Sequence, residues 1–154
     1  MDHKQFSERV RGMEHTLHRI SRGILSREAD CEDASQEAVL KAWKWLDTLR
    51  NEDKFEAWLI RILINECRKQ RRSFKRHSHA ELTDSMMAPS APNPALHDAF
   101  FALGEKYRLP LTLHYLDGYR IDEIARILDV PKGTIKSRLH RGLELLETQL
   151  NEEV

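Results

Sequence analysis

The stretch Ile121-Asp-Glu-Ile-Ala-Arg-Ile-Leu-Asp-Val-Pro-Lys-Gly-Thr-Ile-Lys-Ser-Arg-Leu-His-Arg141 decides the fold. Its apolar residues recur at helical spacing on both sides of a short interruption. The pattern predicts two helices, 121–128 and 131 to about 150, separated only by Asp129 and Val130. Ile121, Ile124, Leu128 and Val130 are expected to face Ile135 and Leu139, with the small Ala125 where the helices cross closely. Pro131 suits the first turn of the second helix, where a missing N–H removes no intrahelical bond. This is the pattern of a helix-turn-helix. The outward side of the second helix carries Lys132, Thr134, Lys136, Ser137, Arg138, His140 and Arg141, and no acid stands between Lys132 and Arg141 to repel phosphate. A helix fits the major groove, Arg and Lys can bond guanine edges, and Ser and Thr can reach bases or phosphates. These residues are candidates for duplex DNA contact, with Lys136, Ser137, His140 and Arg141 the best placed for bases. The bland alternative is a helical hairpin with a solvated basic face. Core spacing, short turn and acid-free outer face together favour the DNA reading.

Upstream of the motif, two further helices are expected. One starts at about Leu96 and carries Phe100, Phe101 and Leu103; the other carries Leu109, Leu111, Leu113 and Leu116, accepts Pro110 in its first turn and is closed by Asp117-Gly118. Residues 77–95 hold Pro89, Pro92 and Pro94 and no sustained periodicity, which predicts a flexible linker and a domain boundary. Before it, Phe6, Val10, Met13, Leu17, Ile20 and Ile24 predict one amphipathic helix over about 6–26. A second helix is expected to begin in an acidic stretch, run through Ala38, Val39, Ala42, Trp43 and Leu46, and end near Leu49. Asp53 can cap a third, with Phe55, Trp58, Leu59, Ile62 and Leu63 on its apolar face. Trp43 and Trp58 are assigned to the core and Trp45 to the surface. No strand pattern or internal repeat is present. The expected fold class is all-α: two small helical domains, 1–76 and 96–154, joined by the linker.

Composition bounds the function. The 154 residues include 40% hydrophobic and 32% charged residues, enough for modest cores under charged surfaces. Lys+Arg and Asp+Glu balance at 25 each, so the information is in where they sit. Residues 28–37 hold Glu28, Asp30, Glu32, Asp33 and Glu37 with no base; residues 61–76 hold Arg61, Arg68, Lys69, Arg71, Arg72, Lys75 and Arg76 against Glu66 alone. Cys31 and Cys67 are far apart and lack a CxxC partner, so neither a zinc knuckle nor a disulfide framework is expected, and a reducing, cytoplasmic setting is. Residues 1–25 lack the apolar core of a signal peptide, and no run is long enough to span a bilayer. The eight histidines form no HExxH; His15 with His18, and His77 with His79, are read as solvated rather than as metal ligands. There is no Gly-rich phosphate loop and no nucleophile elbow. No enzyme, no cofactor, no metal site and no catalytic residue is expected.

Several blocks of the chain resemble the extracytoplasmic-function group of bacterial RNA polymerase sigma factors, within the sigma-70 family. In the second domain they are Glu105-Lys-Tyr-Arg-Leu-Pro-Leu, His114-Tyr-Leu-Asp-Gly-Tyr, Ile124-Ala-Arg-Ile-Leu and Gly133-Thr-Ile-Lys-Ser-Arg-Leu-His-Arg141, similar to the family's fourth region, which reads the minus-35 promoter element. In the first they are Glu32-Asp-Ala-Ser-Gln-Glu-Ala-Val-Leu-Lys-Ala-Trp43 and Phe55-Glu-Ala-Trp-Leu-Ile-Arg-Ile62, similar to its second region. The resemblance implies that Asp33, Gln36 and Glu37 bind the beta-prime clamp helices of core RNA polymerase. By physics alone they are a solvated face at a helix start. It implies that Arg61, Arg68, Lys69, Arg71 and Arg72 follow the phosphates of the minus-10 region, with affinity falling steeply with salt. It also implies that residues 49–54 capture a flipped base, with Asn51 as the hydrogen-bonding group. The beta flap, promoter DNA and an anti-sigma factor are the remaining implied partners. Ile60 stands where many relatives have tyrosine, and Ala34-Ser35 where they often have bulkier apolar residues.

Two rival readings make different demands. A stand-alone helix-turn-helix regulator usually gains affinity from dimer symmetry, and Leu143, Leu145, Leu146 and Leu150 are too few for a long coiled coil. A protein-interaction adaptor leaves the acid-free face and the basic run without a purpose.

Overall fold

The computed structural model describes residues 1–77 and 93–152, with side chains in the helix that ends at His77 described through Ser73. The described residues contain helices and no strand, and form two compact units.

The first unit holds four α-helices: α1 His3–Arg11, α2 Glu14–Arg22, α3 Glu28–Lys44 and α4 Phe55–His77. Asp2 and Gln5 close a reciprocal capping box at the start of α1, at 2.8 and 2.9 Å. The sequence predicts a single helix over 6–26, but α1 ends at Gly12 and α2 starts after Met13. The apolar repeat runs across the break because Phe6, Met13, Leu17 and Ile20 all enter the same core. Gly12 keeps right-handed dihedrals, φ −63° and ψ −15°, and the backbone leaves helical geometry at Met13, φ −106° and ψ 4°; a glycine costs about 1 kcal/mol against alanine inside a helix and so favours a break here.

Helix α3 shows a small-residue face, Cys31, Ala34, Ala38 and Ala42, against which α4 lies closely. Helix α4 is covered over most of its circumference: Phe55, Leu59, Ile60, Leu63, Ile64 and Cys67 are buried. The lone acid of the basic stretch, Glu66, is only 8% exposed and accepts a hydrogen bond from Lys41 of α3. Gln70 reaches Asp30 at 3.2 Å. Burial pushes the Cys31 thiol up, with Ser21 and Arg22 acting in the other direction and Glu28 adding to the rise. Both cysteines are free, and no group of side chains suited to a metal occurs among the described residues.

Two expectations here are corrected. Trp43 is 45% exposed, packed edge-on to His3 and Phe6 at the rim, while Trp58 is half-buried and Trp45 exposed. The position of Trp43 one residue past Ala42 turns it away from the α4 contact. Asn51, not Asp53, is the capping residue: its side-chain oxygen accepts from the Asp53 N–H at 3.0 Å and opens a 3₁₀ turn, Glu52–Lys54, ahead of α4.

The second unit holds α5 Pro94–Ala102, α6 Glu105–Leu111, α7 Ile121–Leu128 and α8 Lys132–Glu152. Regular structure begins earlier than expected, because the Asn93 side chain accepts from Leu96 N–H at 3.1 Å and Pro94 fills the first turn. The expected linker, 77–95, otherwise lies outside the described residues except for His77, the end of α4. So does His79. Pro110 is not in a first turn but near the end of α6. Its missing N–H is followed by a π-helical turn, Thr112–Leu116, closed by Asp117 N–H to Thr112 C=O at 3.0 Å and by Gly118 at φ +76°. Arg108 bonds the carbonyls of Phe101 and Leu103, which satisfies the end of α5.

The helix-turn-helix forms between α7 and α8. Ile124, Ala125 and Ile127 of α7 and Ile135 and Leu139 of α8 are buried, while Ile121, Leu128 and Val130 are half-buried. Ile127 therefore replaces Leu128 in the inner core. Asp129 ends α7 in the left-handed conformation, φ 57° and ψ 50°, and Val130 N–H bonds Ala125 C=O at 3.0 Å. Pro131 sits one position before the expected place: its carbonyl accepts from Ile135 N–H at 3.2 Å, so it caps α8 rather than starting it. Gly142 lets α8 approach α6, since a Cβ there would stand 3.0 Å from Leu111 Cδ1 and 3.4 Å from Tyr107 Cβ. No described helix is long and apolar enough to cross a membrane.

Candidate nucleic-acid and partner interfaces

Helix α3 buries one side and turns the other outward. Asp33, Gln36 and Glu37 are all exposed on that outer side, and the side chains of Asp33 and Gln36 make no hydrogen bond or ion pair among the described residues. Glu37 lies one turn from Lys41 and helps, after Glu66, to hold that ammonium above the ordinary lysine value. At i, i+3, i+4 and i+7 this face continues to Leu40, which is 63% exposed. Sequence reading missed Leu40, although its spacing from Asp33 was the signal. An apolar side chain edged by carboxylates and an amide is suited to a protein partner, where a dry centre and a polar rim occur together.

Helix α4 leaves a narrow outer stripe. Arg61, Lys69 and Arg72 are exposed along it, and Arg68 and Arg71 are half-buried at its sides. Asn65, also exposed, lies one turn beyond Arg61 and adds a neutral hydrogen-bonding group that a count of charges does not show. With Glu66 turned inward onto Lys41, no described acid of α4 between Arg61 and Arg72 faces outward beside these bases. Ahead of α4, Leu49 and Asn51 are extended between two 3₁₀ turns, Leu46–Thr48 and Glu52–Lys54. Asn51 is exposed at that point, its side-chain oxygen engaged by Asp53 N–H.

On α8, Lys132, Lys136 and His140 repeat at one-turn intervals and are exposed, as are Ser137 and Arg141 beside them. Thr134 and Arg138 are half-buried at the edges of this face. The exposed Ser137 hydroxyl donates to Gly133 C=O at 3.0 Å. The acid-free run ends at Glu144, which meets His140 at 3.2 Å and Arg141 at 3.9 Å. Those pairs are solvent-exposed and weak, and phosphate can displace them. At the start of α7, burial works against ionisation of Asp122. Even so, Arg120, its own backbone N–H, Arg126 and Lys132 hold its carboxyl below the ordinary aspartate value.

The second unit also carries an open apolar groove of about 480 Å³, whose lining includes Leu96, Phe100, Leu111, Tyr115, Leu143 and Leu146. Leu143, by sequence a candidate coiled-coil position, is exposed at this groove with Tyr115 and Leu116.

The chain matches the family described as Sigma-70 region 2 over residues 10–77 and that described as Sigma-70, region 4 over residues 95–146. It is 28% identical to the ECF RNA polymerase sigma factor SigW of Bacillus subtilis, over 98% of this chain and 91% of that one. It is 31% identical to SigM of Mycobacterium tuberculosis, over 92% of this chain and 74% of that one. The ECF sigma-E factor of Escherichia coli is 30% identical over 85% of this chain and 78% of its own. Among solved structures it is similar to the sigma factor RpoE from Bartonella quintana, determined in complex with the anti-sigma factor NepR. That likeness has a TM-score of 0.80 at 26% identity, covering 96% of this chain and 98% of that one. CnrH, determined with the cytosolic domain of CnrY, is 21% identical with a TM-score of 0.75 over 99% and 92% of the two chains, and supports the fold alone. The two regional matches fall in order on the two units, and the relatives extend over nearly the whole chain: it belongs to the extracytoplasmic-function group of the sigma-70 family of RNA polymerase sigma factors.

Proposed function

We propose that this sigma factor divides its work among four surfaces. The outer face of α3, Asp33, Gln36 and Glu37 around Leu40, takes the beta-prime clamp helices of core RNA polymerase. The α4 stripe, Arg61, Arg68, Lys69, Arg71 and Arg72, follows minus-10 phosphates, and Asn51 receives the flipped base. The α8 face from Lys132 to Arg141 reads the minus-35 duplex, with Lys136, Ser137, His140 and Arg141 at base edges and Lys132, Thr134 and Arg138 at the backbone. The apolar groove of the second unit takes the beta flap. The chain acts in the cytoplasm and carries no catalysis of its own. An anti-sigma factor, as in the RpoE–NepR complex, masks these surfaces when the factor is idle.

The observation that carries this reading is the outward acidic face of α3 in the same unit as a basic stripe from which Glu66 is withdrawn. A stand-alone regulator has a use for the α8 face but none for this pair. The test is run-off transcription with purified core polymerase on a pool of promoter fragments. Specific transcripts are expected with the wild-type chain and their loss with the triple variant Asp33→Ala, Gln36→Ala and Glu37→Ala. Tight binding to free duplex without any complex with core would instead support the stand-alone regulator.

A further inference from the structure

Residues 46–54 lie outside the α-helices, in two 3₁₀ turns and the link between them, and Asn51 through Lys54 are exposed. The Asn51 side-chain oxygen is held locally by Asp53 N–H, and the Met1 ammonium meets the Glu52 carboxylate at 2.7 Å. The backbone of this turn is reached by one further group from a distant part of the sequence. Arg9, on α1, donates from Nη2 to the carbonyl of Glu52, the residue that follows Asn51, at 2.8 Å. The same guanidinium grips the Glu56 carboxylate in the first turn of α4, with Nη2 at 2.9 Å from Oε1 and 2.8 Å from Oε2, and Nε at 3.2 Å from Oε1. Its carbon lies 4.8 Å from the centre of the buried Phe55 ring, between those two acids in sequence. Arginine's planar fork can hold a carbonyl, a carboxylate and an aromatic face together, which a lysine ammonium cannot. Arg9 itself is fixed because Phe6, one turn earlier on α1, is buried against the Phe55 ring at 5.6 Å.

We infer that Arg9 is a positioning residue for base capture: it ties the 3₁₀ turn beside Asn51 to the start of α4, so that Asn51 meets the flipped base in a preset orientation. The inference rests on the assignment of Asn51 to the flipped base proposed above. Arg9 touches no DNA; it acts through the Glu52 carbonyl and the Glu56 carboxylate. A preorganised contact gives selectivity that a loose one loses, because a displacement of about 1 Å can cost on the order of a hundredfold in a positioned reaction.

The test uses holoenzyme assembled from core polymerase and full-length chain. The probe is a set of fluorescent single-stranded minus-10 oligonucleotides, from a promoter that the wild type transcribes, with each base varied in turn. Arg9→Gln is expected to leave affinity for core within about twofold and to reduce discrimination at the captured base by about tenfold or more. Arg9→Lys, which keeps one donor for the Glu52 carbonyl, is expected to fall between. A merely structural role predicts otherwise: Arg9→Gln would weaken core binding and oligonucleotide binding together, with the base preference unchanged, and that result overturns the inference. Unchanged discrimination in Arg9→Gln with normal core binding overturns it as well. Discrimination that survives Asn51→Ala in the wild-type background would instead remove the assignment of Asn51, and the role of Arg9 with it.

Discussion

Replacing Lys41 with methionine should destabilise the first unit by about 2–3 kcal/mol. Glu66 is 8% exposed, and Lys41 is its hydrogen-bonded cation. Breaking a buried pair by removing one partner costs about 3–5 kcal/mol, because the remaining charge stays desolvated. Here the Lys41 side chain is 22% exposed, so water can partly take its place and the loss should fall below that range. With a denaturant dependence of roughly 1 kcal/mol per molar urea for a unit of this size, the midpoint should drop by about 2–3 M. The double variant Lys41→Met, Glu66→Leu removes both charges at similar volume and should return to within about 1 kcal/mol of wild type. The assay separates the units by itself, since all three tryptophans, Trp43, Trp45 and Trp58, lie in the first and all three tyrosines, Tyr107, Tyr115 and Tyr119, in the second. Urea unfolding followed by tryptophan emission therefore reads the first unit alone, and the comparison of variants isolates the Lys41–Glu66 contact. The Lys41 ammonium is 5.8 Å from the Trp45 ring, so emission intensity will change while the midpoint keeps its meaning. A double variant as unstable as Lys41→Met, or a single variant within about 0.5 M of wild type, would refute the claim that Glu66 is a desolvated charge dependent on Lys41.

Two further outcomes concern the second unit and can be read from tyrosine emission. Asp129 holds a left-handed backbone, so Asp129→Val should lose about 1–2 kcal/mol while Asp129→Gly stays close to wild type; equal losses would locate the effect in the side chain instead. The carboxyl of Asp122 lies below its ordinary value when folded, so its contribution is present above the unfolded pKa and is lost as pH falls through the folded one. Acidification through and below the ordinary aspartate range should therefore lower the unfolding midpoint of the wild type more than that of Asp122→Asn, and parallel profiles would count against it.

The helix-turn-helix was legible because its signals are local and agree: apolar spacing, a short polar turn and a proline stop within one stretch, 121–141. What could not be read was which of two adjacent positions the third dimension would choose. Ile127 enters the inner core and Leu128 only half does, a choice made by how α7 lies against its neighbours and not by its own apolar spacing, which suits both. Pro131 suits both the first turn and the cap before it, and the Ile135 N–H settles which. The break at Gly12 was hidden for a related reason. Both short helices bury the same face, so the periodicity that predicts a helix continues where the helix does not.

The interfaces divide along the same line. A charge cluster is visible in sequence, so the acids of α3 and the bases of α4 and α8 were found; the residues that make such clusters usable were not. Glu66 reads as a flaw in a basic run and is in fact withdrawn into the helix contact, leaving the described outer stripe without an acid. Leu40 has no place among the apolar positions assigned from the sequence, and it lies outward among the acids. Arg9 reads as one basic residue among many on an amphipathic helix and binds a carbonyl more than forty positions away. In each case the missing information is a pairing between distant segments, to which hydrophobic period and charge count are blind. Sites assembled from long-range pairings are therefore where a perturbation can separate function from fold: a change at Leu40 should affect an interface that the core does not need, whereas a change at Glu66 must affect both.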